Sequence, residues 1–245
     1  MTDAAHDDYE LPEGFRRSPK LDAVRNAPTA LERVRAIVHV LHGPGGCPWD
    51  GEQTNESLVK PLLEETYEYI DALETGDREN MREELGDMLL QSIFQAEVCA
   101  EDAADPFTLE EVCDRLVDKL ITRHPHIFAD DASDDELTGE ETLALWERMK
   151  QKEKQRDSVL DGISHAQGAL PRASKVASRV RKAKDRPELA EAYALPAPAD
   201  DGERLADAML ALIREADAEG VDMENALRNR LRQVEQRVAE IESEE

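Results

Sequence analysis

Hydrophobic positions along this chain recur every three or four residues, which is the period of an amphipathic helix. The first such segment opens with a capping box, Thr29 with Glu32, and closes at Gly43. Its apolar face consists of Leu31, Val34, Ile37, Val38 and Leu41. This pattern predicts a helix between about residues 29 and 43.

The same period returns in most of the chain. The predicted helices cover about 56–73, 77–100, 108–123, 138–156, 172–184, 202–217 and 222–243. Capping boxes recur at Thr108 and Thr138, and Gly76 forms the turn between two long helices. No segment alternates with enrichment in β-branched residues, as a strand would. Aromatic residues make up only 4% of the chain. We therefore expect an all-α fold, a helical bundle.

Changes in composition divide the chain into four parts. Residues 1–27 mix acidic residues, Pro and Gly without a helical period and predict a loose N-terminal arm. Residues 28–157 form the main helical domain. Residues 158–200 are a linker that carries a basic helix, and residues 201–245 form a C-terminal helical segment.

The charge of the chain excludes several classes of partner. The formal net charge is −26. A surface this acidic repels phosphate backbones and anionic lipids, so we expect neither nucleic acid nor a membrane as partner. A substrate with phosphates would need divalent cations to offset the repulsion. Solubility or adaptation to a salty interior would also account for the charge.

Features that mark other compartments are missing from the sequence. Three scattered cysteines form neither a disulfide framework nor a structural zinc site. The N-terminus does not resemble a signal peptide, and no apolar run approaches the roughly 20 residues that span a bilayer. We expect a cytoplasmic protein.

Ten of the 24 residues between 64 and 87 are Asp or Glu. In an antiparallel hairpin that turns at Gly76, residues at equal distance from the turn lie at the same height. Glu68 and Glu84 are each eight residues from Gly76, and Glu65 and Asp87 are each eleven away. Within each helix the two acids are three residues apart and share a face. The spacing predicts that four carboxylates meet.

Four converging carboxylates repel one another unless cations lie between them. Oxygen ligands without His or Cys favour Mg²⁺ or Mn²⁺ over zinc. A di-iron bundle would require Glu-x-x-His pairs, and residues 64–87 contain no His. The alternative is that these acids are simply part of an acidic surface, and spacing alone leaves both interpretations open.

Several motifs resemble those of the MazG family of nucleoside triphosphate pyrophosphohydrolases. In chain order they read GPGGCPWDGEQTNESL, LLEETYEYIDAL, REELGDMLLQ, LITRHPHIFAD, WERMKQKEK and SVLDGI, within about residues 31–173. The resemblance implies an all-α, dimeric enzyme that uses Mg²⁺, with Mn²⁺ as a substitute, and makes 28–157 the catalytic domain. The metal ligands that it implies are Glu65, Glu68, Glu84 and Asp87.

Other residues near these motifs have two interpretations each. Glu64 would orient or deprotonate the attacking water, or be structural. Lys119 and Arg123, four residues apart, would clamp phosphates or form a solvated pair. Trp49 would stack on a base or anchor its loop. Many relatives have His in place of Asn55, which leaves base contacts from this loop open.

The C-terminal segment resembles a degenerate second copy of the domain. Its ERLADAML aligns with EELGDMLL, so that Arg204 replaces Glu84 while Asp207 matches Asp87. A cation in place of a ligand repels Mg²⁺. We expect this segment to be structural and without catalysis.

The resemblance predicts Mg²⁺-dependent hydrolysis of nucleoside triphosphates to monophosphate and pyrophosphate, by a homodimer that removes aberrant or excess nucleotides. One alternative is a pyrophosphohydrolase for another nucleotide such as phosphoribosyl-ATP. The other is an inactive helical interaction protein that retains the fold.

Overall fold

The computed structural model describes residues 9–130, 138–154 and 158–243 of the chain. All regular elements in these ranges are helices, which confirms the all-α prediction. The α-helices are α1 (Asp22–Asn26), α2 (Ala30–His42), α3 (Pro48–Gly51), α4 (Val59–Thr75), α5 (Arg78–Ala100), α6 (Leu109–Arg123), α7 (Pro125–Phe128), α8 (Gly139–Lys154), α9 (Ala169–Lys182), α10 (Asp201–Glu219) and α11 (Met223–Ser243). Two short 3₁₀ helices cover Pro19–Leu21 and Pro187–Tyr193.

Side-chain caps place the helix starts where the sequence predicted them. Thr29 caps α2 by accepting a hydrogen bond from the backbone N–H of Glu32, at 3.2 Å. Thr108 caps α6 in a complete capping box with Glu111. The short helices α3 and α7 were not predicted, because each begins at a proline inside a loop-like sequence. The predicted end of α8 near residue 156 lies outside the described residues.

The chain forms two compact units, Met1–Glu136 and Leu137–Glu245. The first contains α1 to α7 and the second α8 to α11. The sequence placed this boundary at 157/158, where the composition changes. The domain bounds from the sequence analysis stay a prediction.

In the first unit the antiparallel helices α4 and α5 form a hairpin, and α2 packs against α5. Four side chains form the centre of its core: Val38, Leu58, Ile93 and Phe94. Leu58 lies just before α4, and only 1% of its surface is exposed. This core fixes the loop between α2 and α4 against the middle of α5.

The described part of the N-terminal arm is not loose, contrary to the sequence-based expectation. Helix α1 packs on α2 and buries Val24. Apolar side chains of the arm, including Leu11 and Phe15, line a cavity of about 720 Å³ against Val34 and Ile37 of α2. The apolar residues of the arm have no regular period, so sequence alone does not reveal that α2 offers them a surface.

In the second unit α9 packs against both α10 and α11. Ile213 and Ala216 of α10 are buried. An ion pair joins Arg181 of α9 to Asp217 of α10 at 2.7 Å. No described helix of the chain is both long enough and apolar enough to cross a membrane.

Gly76 should contribute to stability through its backbone conformation. It has a φ of +75° and ends α4, and the N–H of Asp77 bonds to the carbonyl of Ala72 at 2.9 Å. We expect Gly76→Ala to lower the free energy of unfolding by about 1–2 kcal/mol, the cost of a left-handed residue with a Cβ. Urea denaturation of the full chain measures this change.

Gly86 provides the control. It lies inside α5, where an added Cβ has no neighbouring atom within 4 Å. Gly86→Ala should therefore stabilise the chain by about 0.5–1 kcal/mol. Equal effects of the two substitutions would contradict the account of the turn.

Candidate metal centre

The α4–α5 hairpin brings three carboxylates together. One oxygen from each of Glu65, Glu84 and Asp87 lies within 4.8 Å of the others. Glu84 is only 5% exposed, whereas Glu65 and Asp87 are half-buried. Within the described part of the chain, no other group of three His, Cys, Asp or Glu side chains comes this close.

Glu68 lies beside this group without being part of it. Its side chain is exposed on α4. Its charge nevertheless raises the pKa of both Glu65 and Glu84, which places it close to them. Three of the four carboxylates that the spacing predicted thus converge, and the role of Glu68 as a fourth ligand stays a prediction.

The carboxylates disfavour one another's ionised forms. The pKa of Glu65 is raised chiefly by burial and then by the charges of Asp87, Glu68 and Glu84. Burial also raises the pKa of Glu84, followed by the charges of Glu68 and Asp87, while a hydrogen bond to Glu65 acts in the opposite direction. The carboxylates are thus crowded enough to repel one another, and a cation between them could offset that repulsion.

The donor set fits a hard divalent cation. All three converging atoms are carboxylate oxygens, the type that Mg²⁺ and Mn²⁺ prefer. A cation at this point would attract all three carboxylates and offset their mutual repulsion. The residues that could hold it are Glu65, Glu84 and Asp87, with Glu68 next to them.

The remaining predicted residues lie outside the group of three carboxylates. Glu64 is exposed and forms an ion pair with Lys60 at 3.3 Å, which agrees with its structural alternative. Lys119 is exposed, but Arg123 on the same helix is only 9% exposed. The pair is therefore not a solvated one. Trp49 of α3 is 62% exposed, more than an anchoring aromatic would be.

Asn55 holds the loop before α4 against α5. Its side-chain amide donates to the backbone carbonyl of Gln95 at 3.1 Å and to that residue's side-chain oxygen. The Cys99 thiol donates to the Asn55 side-chain oxygen, with Sγ and Oδ1 3.4 Å apart. Asn55 thus has a structural role in this chain.

Two buried polar residues escaped the reasoning from sequence. His42 is 8% exposed, and its Nδ1 lies 2.9 Å from the carbonyl oxygen of Asp50. Gln91 is 6% exposed, and its Oε1 has no hydrogen-bond partner among the described residues. Gln91 follows Asp87 by one helical turn, and this spacing was the only signal that could have drawn attention to it.

We expect Glu84→Gln to raise the Tm of the metal-free protein at neutral pH, because a neutral amide is not repelled by Glu68 and Asp87. The pKa of Glu84 is raised in the folded chain, so the repulsion is present at neutral pH and disappears as the pH falls through that pKa. The advantage of the variant should therefore shrink on acidification. Thermal melts in a chelator test this.

Glu83→Gln serves as the control for this measurement, since Glu83 is an exposed neighbour on the same helix. Its effect on the Tm should be smaller. A Glu84→Gln protein that is less stable than wild type at neutral pH would contradict the electrostatic account of the site.

Comparison with known proteins agrees with this geometry. Residues 53–128 match the family model of the MazG nucleotide pyrophosphohydrolase domain, and this match includes the whole α4–α5 hairpin. A nucleoside triphosphate pyrophosphohydrolase from Mycobacterium tuberculosis is 44% identical over 136 residues, 56% of this chain and 41% of that protein. The chain thus spans less than half the length of that relative.

Two relatives are covered more fully. An uncharacterized 26.1 kDa protein from Streptomyces cacaoi is 42% identical over 183 residues, 74% of this chain and 71% of that protein. The nucleoside triphosphate pyrophosphohydrolase/pyrophosphatase MazG of Thermotoga maritima is 32% identical over 233 residues, 89% of this chain and 88% of that protein. With its hairpin of converging carboxylates and these matches, the chain belongs to the MazG family of nucleotide pyrophosphohydrolases.

Proposed function

We propose that this protein hydrolyses nucleoside triphosphates to the monophosphate and pyrophosphate in a Mg²⁺-dependent reaction. The observation that carries the proposal is the convergence of Glu65, Glu84 and Asp87 within the domain that matches the family model. The relatives named as nucleoside triphosphate pyrophosphohydrolases support the substrate class. The cellular role that we propose is removal of aberrant or excess nucleotides from the cytoplasmic pool.

The three carboxylates, with Glu68 beside them, would hold the cation. When bound there, Mg²⁺ would neutralise triphosphate charge and lower the pKa of the attacking water. A chain with a net charge of −26 repels a triphosphate, so local neutralisation is a condition for binding the substrate at all. The carboxylates would therefore serve both catalysis and substrate affinity.

Substrate contacts would come from outside the hairpin. Arg123 is the buried cation at the end of α6, and a guanidinium binds phosphate oxygens in a two-pronged contact. The exposed ring of Trp49 is available to stack on a base. We propose these two roles, with Lys119 as a second phosphate contact from the surface of α6.

We also propose that the first unit forms a homodimer. Large apolar side chains on three of its helices are at least 40% exposed: Leu63, Tyr67, Leu85, Leu89, Val112, Leu116, Val117 and Leu120. A helical surface with this many exposed apolar side chains is typical of a protein interface. A second copy of the chain would supply the matching surface.

The test of the activity is pyrophosphate release from the eight common nucleoside triphosphates and from phosphoribosyl-ATP, with Mg²⁺ and with a chelator. We expect release from nucleoside triphosphates only when Mg²⁺ is present. Release from phosphoribosyl-ATP alone would replace the proposed substrate. No release from any of them would favour an interaction protein without activity.

In the same assay we expect Asp87→Asn to reduce turnover by at least about 100-fold, since loss of an outer-shell partner alone costs 10–100-fold in metal sites. Asp207→Asn is the matched control in the second unit. Asp207 is half-buried on α10, and its neighbour Arg204 forms an ion pair with Asp201 at 3.1 Å. Turnover of this control should stay within about two-fold of wild type, because one leftover carboxylate cannot form a Mg²⁺ site.

Circular dichroism establishes that both variants remain helical. Substantial Mg²⁺-dependent hydrolysis by Asp87→Asn would show that the site lies elsewhere or that the second unit is active.

For the dimer, we expect Leu116→Glu to shift sedimentation of the full chain toward the monomer, because a carboxylate cannot be buried in an apolar interface without a partner. Asp114→Asn, a change on the same exposed helix, is the control and should leave the association unchanged. A wild-type chain that sediments as a monomer at micromolar concentration would refute the dimer.

A further inference from the structure

Gln91 has an unusual environment for an amide. It lies on α5, where 94% of its surface is buried, since 6% is exposed. Its Oε1 has no hydrogen-bond partner among residues 9–130, 138–154 and 158–243. Buried side-chain amides in folded proteins are nearly always hydrogen-bonded, because an orphaned acceptor has lost water without replacement.

The position of Gln91 on α5 relates it to the carboxylate group. It follows Glu84 by seven residues and Asp87 by four, so all three lie on one face of the helix. The rise per residue places its Cα about 6 Å beyond that of Asp87. Side chains in a helix lean toward its N-terminus, which for Gln91 is the direction of Asp87.

The chemistry of Oε1 restricts what its partner can be. A carbonyl oxygen only accepts hydrogen bonds, and ionised carboxylates also only accept, so Glu84 and Asp87 cannot satisfy it in that state. Phosphate oxygens of a substrate are acceptors too. The described residues supply no donor to this oxygen, and the waters around a hydrated divalent cation are donors. Mg²⁺ in proteins usually keeps several of its waters.

Gln95, one turn further along α5, shows the contrast. Its side chain exchanges hydrogen bonds with Asn55, accepting from the Asn55 side chain and donating to its backbone oxygen at 3.2 Å. The Gln95 amide is thus satisfied by protein, whereas Oε1 of Gln91 has no partner among the described residues.

We propose that Gln91 is a positioning residue of the metal centre, whose Oε1 accepts a hydrogen bond from the hydration shell of the divalent cation held by Glu65, Glu84 and Asp87. The inference rests on the proposed function for the presence of that cation. It adds an uncharged outer partner to a site that otherwise consists of carboxylates. Such partners orient the inner ligands, and their loss weakens metal affinity by about 10–100-fold.

The test uses Gln91→Met, which keeps the length of the side chain and removes the acceptor. Binding of Mg²⁺ alone to the full chain is measured by isothermal titration calorimetry, without substrate. We expect the dissociation constant to rise at least about 10-fold. The Tm of the metal-free variant should equal or exceed that of wild type, because an orphaned buried oxygen has been removed.

Two further variants complete the design. Gln91→Glu retains an acceptor oxygen at the same place and should bind Mg²⁺ much more tightly than Gln91→Met. Gln95→Met breaks the contact with Asn55 and should keep the Mg²⁺ affinity of wild type within about three-fold.

Wild-type Mg²⁺ affinity in Gln91→Met would overturn the inference while leaving the proposed metal centre intact. Equal losses in Gln91→Met and Gln95→Met would also overturn it, since they would indicate a general disturbance of α5. If Gln91→Met does not fold, Gln91→Asn, which withdraws the amide by one methylene, is measured instead, and unchanged affinity there has the same meaning. A wild-type chain that binds no Mg²⁺ would refute both the metal centre and the role of Gln91.

Discussion

Three carboxylates at one level of a helical hairpin repel one another, and the packing of the first unit must overcome this repulsion. Glu65, Glu84 and Asp87 would move apart if α4 and α5 were free to separate. They cannot separate, because Gly76 joins the helices by a tight turn and the core around Ile93 and Phe94 clamps α5 from the other side. The packing of the helices thus keeps the three carboxylates together although they repel one another. A bound cation would make the electrostatic energy of this group favourable.

Other contacts of the first unit hold the loop before α4 against α5. Asn55 ties the loop before α4 to α5 by way of Gln95, and the buried His42 packs edge-on against Phe94, with ring centroids 5.4 Å apart. Leu58 is buried in the same core as Phe94. These contacts hold the loop beside the hairpin. Trp49, on the short helix α3 within this loop, is exposed to solvent.

The second unit illustrates what happens when the constraint is absent. At the position that aligns with Glu84 it has Arg204, which is exposed and pairs with Asp201. Its helices are held by apolar contacts and by the ion pair between Arg181 and Asp217, whose guanidinium pKa is raised by that hydrogen bond and charge. Among the described residues of this unit no three carboxylates converge, so its geometry does not indicate a cation site.

Local features of the sequence were sufficient to predict most of the secondary structure and the location of the site. Helix period, the caps at Thr29 and Thr108, and the glycine turn each depend on residues within a few positions of one another, so they can be read from the chain directly. The opposed spacing about Gly76 likewise predicted the three acids that converge, together with Glu68, which is not part of the group. The metal chemistry that the family motifs imply stays a prediction.

Tertiary structure alone decided which of those acids are buried, and which other residues join them. Glu84 is buried while Glu68 is exposed, although the two have equivalent positions about the turn. The N-terminal arm packs on α2, and Gln91 is buried with no partner for its Oε1 in the part of the chain that the structure describes. Each of these outcomes depends on which surfaces meet between segments distant in sequence, and no local pattern of residues carries that information.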